Sequence, residues 1–395
     1  MDLNQISAQE IGRRLRLARE SAGVRQDEAA KAIGLSRPTL ILIEKGSRRI
    51  RIEEIQVLAN HYGVSTNALL RREAVHINLI PRFRRLQGGE DKYTQEAVQL
   101  LNDLVRADVE LENILGIKRN YVFFEERGIN EGDVTELAEQ HAQKLRDDLN
   151  LGPGPIADIF TLIELDLGIR LYQKRLSSKS KVSGLFAFDE SVGACILLNA
   201  NQRWERRVQS AAHEIGHFIG TRQNPEILEK DEKFRSREER YAHAFGRAFL
   251  TPKKSFEESF KRLTEGAKKL TRHHVILLAH QFNISREAAV RRLEELGLAK
   301  KGTWNWFVAN GGITDAVARS VLGEAVYRRD TAKEDADRPI AQYLVLRAYE
   351  AWKRGLMSEG QLTDLLKVSR IELRKMLDEV ALEESESDDF LKLPR

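Results

Sequence analysis

The sequence predicts a mainly helical chain with one small β-sheet, an α+β fold divided among several units. Three observations predict it. Apolar residues recur at helical spacing over most of the 395 residues. A cluster of strand-like runs lies between 169 and 199. Glycine and proline breaks, sharpest at Gly152-Pro153-Gly154-Pro155, separate stretches of different character. Length alone implies two to four units with ample core. The boundaries that follow are an N-terminal five-helix bundle at 1–72, a helical linker at 73–150, an α+β domain at 151–300 and a helical region with an acidic tail at 301–395.

The N-terminal elements come in short, punctuated pieces. Residues 8–22 place apolar groups at 11, 15 and 18 on one helical face, and Gly23 closes that helix. A second helix covers 26–33, and Gly34-Leu35 makes a tight turn before Ser36. Ser36 suits an N-cap, with Pro38 in the first turn, where its missing N–H costs little. The third helix runs to about 45 and stops at Gly46; two more follow near 52–61 and 65–71. Short helix, glycine turn and capped helix is the helix-turn-helix order, although a bundle for protein contacts has the same pattern. Residues 1–72 carry 13 Lys/Arg against 8 Asp/Glu, leaving 51 against 52 elsewhere. An excess confined to this module suits contact with phosphates.

This stretch resembles the phage-repressor-like (XRE/Cro) family of DNA-binding domains. Gln26, Ala29-Ala30, Gly34, Ser36, Ile43-Glu44 and Gly46 stand where that pattern expects them, covering most of 8–70. The resemblance implies a recognition helix that presents Ser36, Arg37, Thr39, Leu40 and Leu42 to double-stranded operator DNA. Arg37 would bond guanine bidentately, and Arg48, Arg49 and Arg51 would hold phosphates. Such modules usually read two half-sites, so a homodimer is expected.

The linker opens with a basic patch, Pro81-Arg82-Phe83-Arg84-Arg85, and a Gly88-Gly89 break. Residues 94–115 form an amphipathic helix that spans domains, pairs with a second copy or packs on a core. Another helix covers 130–149. From 156 the pattern changes: a helix to 167 ended by Gly168, a strand at 169–172, and two strands at 183–188 and 194–199 joined as a hairpin. The helix 204–220 follows, and the sheet beside it offers an edge, or a groove along 194–199, to an extended peptide. Residues 341–379 read as a second helix-turn-helix-like unit, too acidic for DNA and suited to packing or partner binding. The tail 383–389 is solvated.

Chemistry concentrates in His213-Glu214-Ile215-Gly216-His217. Residues i and i+4 share a helix face, so both imidazoles reach one metal, while Glu214 points near the open position and takes a proton from water there. Chance expectation of H-E-x-x-H at this composition is roughly 0.02 per chain, which makes a zinc site the stronger reading over two incidental histidines. Zinc in catalytic sites takes a third protein ligand. Glu239 and His243 share one face of the helix ending at Pro252, so either approaches the metal; Glu238 is a weaker rival. Tyr241, His243 and Tyr172 are candidate donors to a transition-state oxyanion. His273-His274, His280 and Cys195 read as core or surface residues, and Gly152-x-Gly154 lacks the rest of a phosphate loop.

Here the sequence resembles the ImmA/IrrE family of zinc-dependent peptidases. The residues are Ser183-Gly184, Ile196 to Asn199, Ala211-Ala212 with the pentapeptide, Glu239-x-x-Ala242-x-x-Phe245 and Leu250-Thr251-Pro252. Leu278-Ala279-x-x-Phe282-x-Ile284-Ser285 and Arg292-Leu293-x-x-Leu296-Gly297 extend the match over 155–298. The resemblance implies a zincin-like metallopeptidase fold, Zn(2+) held by His213, His217 and Glu239, and Glu214 as catalytic base. His243 departs from the family's usual Asn, as a structural residue, an oxyanion donor or an added ligand that closes the site; Gly246 replaces a common Ala.

Composition narrows the setting. Hydrophobic content of 42% and charged content of 31% are ordinary for a soluble globular protein, and no run approaches eighteen apolar residues, so no membrane span is expected. The N-terminus lacks the basic and apolar regions of a signal peptide, and the single Cys195 allows no intramolecular disulfide, so a cytoplasmic location is expected. The expected function is a DNA-binding regulator with a zinc endopeptidase acting on a repressor-like protein. The alternative is a repressor or antitoxin whose peptidase-like domain is a sensor or a clamp on a cognate toxin.

Overall fold

The computed structural model describes residues 7–62, 64, 66–70, 79, 91–117, 124–222, 226–229, 236–327 and 342–383. The first helices are α1 (Ala8–Ser21), α2 (Gln26–Ala32), α3 (Arg37–Glu44), α4 (Ile52–Tyr62), α5 (Thr66–Leu70), α6 (Lys92–Leu115), α7 (Val134–Asp148) and α8 (Ile159–Leu165). Next come β1 (Arg170–Lys174), β2 (Val182–Asp189), β3 (Gly193–Asn199), α9 (Trp204–Gly220) and β4 (Glu226–Glu229). After them run α10 (Arg237–Leu250), α11 (Lys253–Leu263), α12 (Arg272–Gln281), α13 (Arg286–Glu295), α14 (Thr303–Ala309) and α15 (Asp315–Leu322). The last are α16 (Gln342–Lys353), α17 (Glu359–Leu366) and α18 (Arg370–Glu383). The fold is α+β, as the sequence predicts, and mostly helical. Two compact units are present, one of Met1–Asn78, Val105–Arg119 and Arg347–Arg395, the other of Leu79–Leu104 and Asn120–Leu346.

In the first unit, Ser7 caps α1 and Ser36 caps α3, each side chain accepting a backbone N–H that the helix leaves unpaired. Leu15, Leu40, Ile43 and Leu58 are fully buried in the bundle core. Helices α1 and α3 meet almost backbone to backbone: a Cβ at Gly12 would stand 2.2 Å from the Ile43 carbonyl oxygen. Buried Glu44 accepts from Arg19 Nε at 2.6 Å and from Gln26 Nε2 at 3.0 Å, so the carboxylate that ends α3 ties it to α1 and α2. Arg347 Nη1 donates to Asp108 and Glu112 at 2.5 and 2.8 Å, linking α16 to α6. A capping box of Ser358 and Gln361 starts α17, and residues 367–369 separate it from α18, in the helix-turn-helix-like order read from the sequence.

In the second unit, Asp133 and Asp158 cap α7 and α8. The sheet has the order β1-β3-β2-β4, with β1 and β3 parallel and the remaining neighbours antiparallel. The β2–β3 hairpin follows the prediction, but β3 lies in the middle with both sides paired. The groove expected along 194–199 is therefore filled by β1 and β2, and the sheet's outer strands are β1 and β4. Strand β4 was not predicted: its four residues are too few to show alternation.

Helix α9 packs on the sheet and on α10, and the fully buried side chains Phe186, Ile215, Ile219, Phe245 and Phe249 fill the space among them. The same core takes in Ala138 and Leu145 before it and Phe307, Ile313 and Ala318 after it. Buried Arg146 donates to the carbonyls of Gly152, Gly154 and Phe249, fastening the glycine–proline turn to the end of α10. Burial lowers its pKa to about 10, which leaves it charged.

Among the described residues no helix is long and apolar enough to cross a membrane. The basic patch at 81–85, the Gly88-Gly89 break and the acidic residues 384–389 lie outside the described residues.

Candidate functional site

Helix α9 carries His213 and His217 one turn apart, and their Nε2 atoms stand 3.0 Å from each other. Glu239 reaches them from the first turn of α10, where Ser236 caps the helix and accepts the Glu239 N–H at 3.0 Å. Its Oε1 is 3.3 Å from His217 Nε2 and its Oε2 is 3.4 Å from His213 Nε2. The approach depends on Gly216, where a Cβ would stand 2.7 Å from the Cα of Ala242. Any side chain there would force the two helices apart and carry Glu239 away.

These donors fit a small divalent ion. Bond lengths of 2.0–2.1 Å to zinc put the vertices of a tetrahedron about 3.3–3.4 Å apart, close to the separations found. Both Glu239 oxygens are buried and accept no hydrogen bond among the described residues, a costly arrangement unless a cation sits beside them. Burial pushes His217 down to about 4, so at neutral pH its ring keeps a lone pair for a metal. His217 Nδ1 lies 2.9 Å from Thr221 Oγ1. With the hydroxyl accepting the Nδ1 proton, Nε2 is the unprotonated nitrogen and faces Glu239.

Glu214 is fully buried, and its ligand atom lies within 4.8 Å of those of both histidines. It sits against β2, where a Cβ on Gly184 would stand 2.4 Å from Glu214 Oε1. Both carboxylates border the imidazoles: Glu239 comes within 3.4 Å of each ring, and Glu214 groups with the same two histidines within 4.8 Å.

In the first unit the helix α3 turns Ser36 and Arg37 outward, with Thr39 partly covered. Arg37 makes long contacts of 3.4 and 3.5 Å with Gln26 Oε1, which leaves the guanidinium at the exposed N-terminus of α3. Arg49 is exposed, whereas Arg48 pairs with Glu54 at 3.5 Å. Leu40 corrects the sequence reading: it is fully buried in the bundle core and presents nothing to DNA. Leu42 is the exposed residue of the apolar triplet, at 47%.

Residues 165–294 match the model of the IrrE N-terminal-like domain, and residues 10–72 match that of a helix-turn-helix domain. The chain joins an IrrE N-terminal-like domain to a DNA-binding helix-turn-helix domain. No curated protein matches it. Among solved structures, ComR from Streptococcus suis aligns with 96% of this chain and 95% of its own at 13% identity, with a TM-score of 0.16.

In the IrrE-like domain the three candidate oxyanion donors part company. His243 lies beside His213, ring centroids 6.4 Å apart, and burial pushes it down to about 3, with Arg247, His213 and Arg206 adding to the effect. Tyr241 sits two residues from both Glu239 and His243, on the far side of α10. Its hydroxyl contacts His141 Nδ1 on α7 at 2.8 Å, and its ring fills the space left by Gly220. It therefore holds α7 to α10 and does not face the metal site. Tyr172 is buried in β1. Two contributors went unassigned in the sequence: Gly184, which makes room for Glu214, and Thr221, which orients His217. The latter was signalled by a hydroxyl four residues after a ligand on the same helix face.

Proposed function

We propose that the chain is a DNA-binding regulator whose IrrE-like domain is a zinc-dependent endopeptidase. Its substrate is a repressor-class partner protein, cleaved to change gene expression under stress or in a mobile element. The observation that carries this reading is the meeting of Glu239 with His213 and His217 at 3.3–3.4 Å, with Glu214 left beside them. His213, His217 and Glu239 hold the ion. Zinc bound there supplies Lewis acidity toward water and the scissile carbonyl. Glu214 accepts a proton from the attacking water and returns it to the departing amine as the C–N bond breaks. Gly184 leaves that carboxylate room to take the proton, and Thr221 keeps the His217 ring in the ligating tautomer. His243, whose ring lies 6.4 Å from that of His213, donates to the developing oxyanion in this reading. The helix-turn-helix unit, through Ser36, Arg37, Thr39 and Arg49, holds a homodimer on operator DNA, so that cleavage happens where the substrate works.

The test incubates the zinc-loaded protein with the product of the neighbouring gene and compares it with Glu214→Gln. The variant should keep its zinc and lose about 10²–10⁴-fold in cleavage rate. Equal cleavage by both, or none by a fully metallated wild type, would leave the second reading: a repressor or antitoxin whose peptidase-like domain senses a ligand or binds a toxin.

A further inference from the structure

Strand β4 occupies a telling position. It begins six residues after α9 ends and pairs antiparallel with β2, in the register Gly184↔Leu228, Leu185↔Ile227 and Phe186↔Glu226. Those β2 residues border the metal site. Gly184 abuts Glu214 Oε1, and the Phe186 ring stacks on His217 at 6.2 Å. Neighbouring strands lie 4.7–4.9 Å apart. The main chain of β4 therefore runs alongside the stretch of sheet that backs the general base and one ligand. An extended polypeptide brought to the site for cleavage would need main-chain partners, and a sheet edge supplies them. The other side of β2 is taken by β3.

We propose that β4 is a resident occupant of the substrate's place: the edge of β2 at 184–186 is the docking edge for an extended segment of the protein substrate, which displaces β4 to reach the metal. This inference rests on the endopeptidase reading and deepens it. Two features make β4 displaceable. It has four residues against eight in β2, so it covers only part of that strand. Its register also shifts between Val182 and Gly184, an irregularity that interrupts the ladder beside Glu214. A longer, regular strand gains main-chain bonds that β4 lacks. A globular partner whose chain is already folded offers no such strand, so the expected substrate presents an unfolded or loop segment.

The experiment uses the full chain and two variants. Leu228→Pro removes a backbone donor from β4; Leu185→Cys with Ile227→Cys, at paired positions, staples β4 to β2 under oxidation. The probe is an extended apolar tetrapeptide, with and without a hydroxamate cap that binds zinc, and metal content is measured for every sample. Leu228→Pro should bind the capped peptide at least tenfold more tightly than wild type. The oxidised staple should lose binding at unchanged zinc content and regain it on reduction with a phosphine. Hydrogen exchange at β2 amides, read on metal-free protein with the uncapped peptide, reports edge pairing without zinc. Protection there without capped-peptide binding would keep the docking edge while sinking the metal reading. If the stapled protein takes up peptide as wild type does, β4 is not an occupant of that edge. The staple decides the matter even where the proline variant fails to fold.

Discussion

Thr221 shows how much of the site lies one bond away from the donors. Its hydroxyl lies 2.9 Å from His217 Nδ1, and by accepting the Nδ1 proton it would leave Nε2 with its lone pair. Thr221→Val keeps the shape and removes the acceptor, and is expected to weaken zinc binding about 10–100-fold in a chelator competition, whereas Thr221→Ser should stay near wild type. Equal loss in both variants would make the residue a packing element only. Which side chains share a face was legible in the sequence, because i, i+4 spacing on a helix leaves little choice: His213 with His217, and Glu239 with His243. The helix code does not say which of Glu239 and His243 comes nearer the histidine pair; the structure has the carboxylate within 3.4 Å of both rings and the His243 ring 6.4 Å from that of His213. Leu40 misled for a related reason. In Leu40-Ile41-Leu42 all three residues are apolar, so the triplet does not mark its own buried side, and the core took Leu40 while solvent took Leu42.

The pairing of α9 with α10 is the element on which the site depends. Both helices were readable, the first over 204–220 and the second up to its closing Pro252, whereas the Ser236 cap that starts the second was not. Their closeness was not, since Gly216 inside a helix reads as a mere propensity loss. A Cβ there meets the main chain of Ala242 at 2.7 Å. Gly216→Ala should gain up to about 1 kcal/mol of helix propensity and lose about 1–3 kcal/mol to overpacking. The expected outcome is a lower denaturation midpoint together with weaker zinc binding as Glu239 recedes; an unchanged midpoint would show that the helices part freely. Strand β4 escaped the sequence for another reason: four residues carry no period, and its pairing is fixed by β2, some forty residues upstream.

For the molecule as a whole, the buried imidazoles link stability to pH. His217 and His243 titrate at about 4 and about 3 in the fold, against 6.5 for an ordinary histidine. Between pH 6.5 and 4 the unfolded chain binds protons that the fold refuses, so stability is fully present above pH 6.5 and declines as pH falls through that window. Metal-free protein should show a falling Tm from pH 7 to pH 4.5, and His243→Asn should flatten part of the slope; an identical slope in the variant would remove His243 from the account. The order of the two matched domains was legible because charge and periodicity differ along the chain, with a basic helical module first and the strand-bearing stretch later. The contact of Gly216 with Ala242 carries one more consequence. It makes the gap among the three donors a property of main chain, which does not stretch the way a rotamer does. Calcium takes six to eight oxygen ligands, whereas two imidazoles and one carboxylate offer two nitrogens and two oxygens. A missing methyl group thus fixes how closely the two helices approach, and with them the imidazoles and the carboxylate.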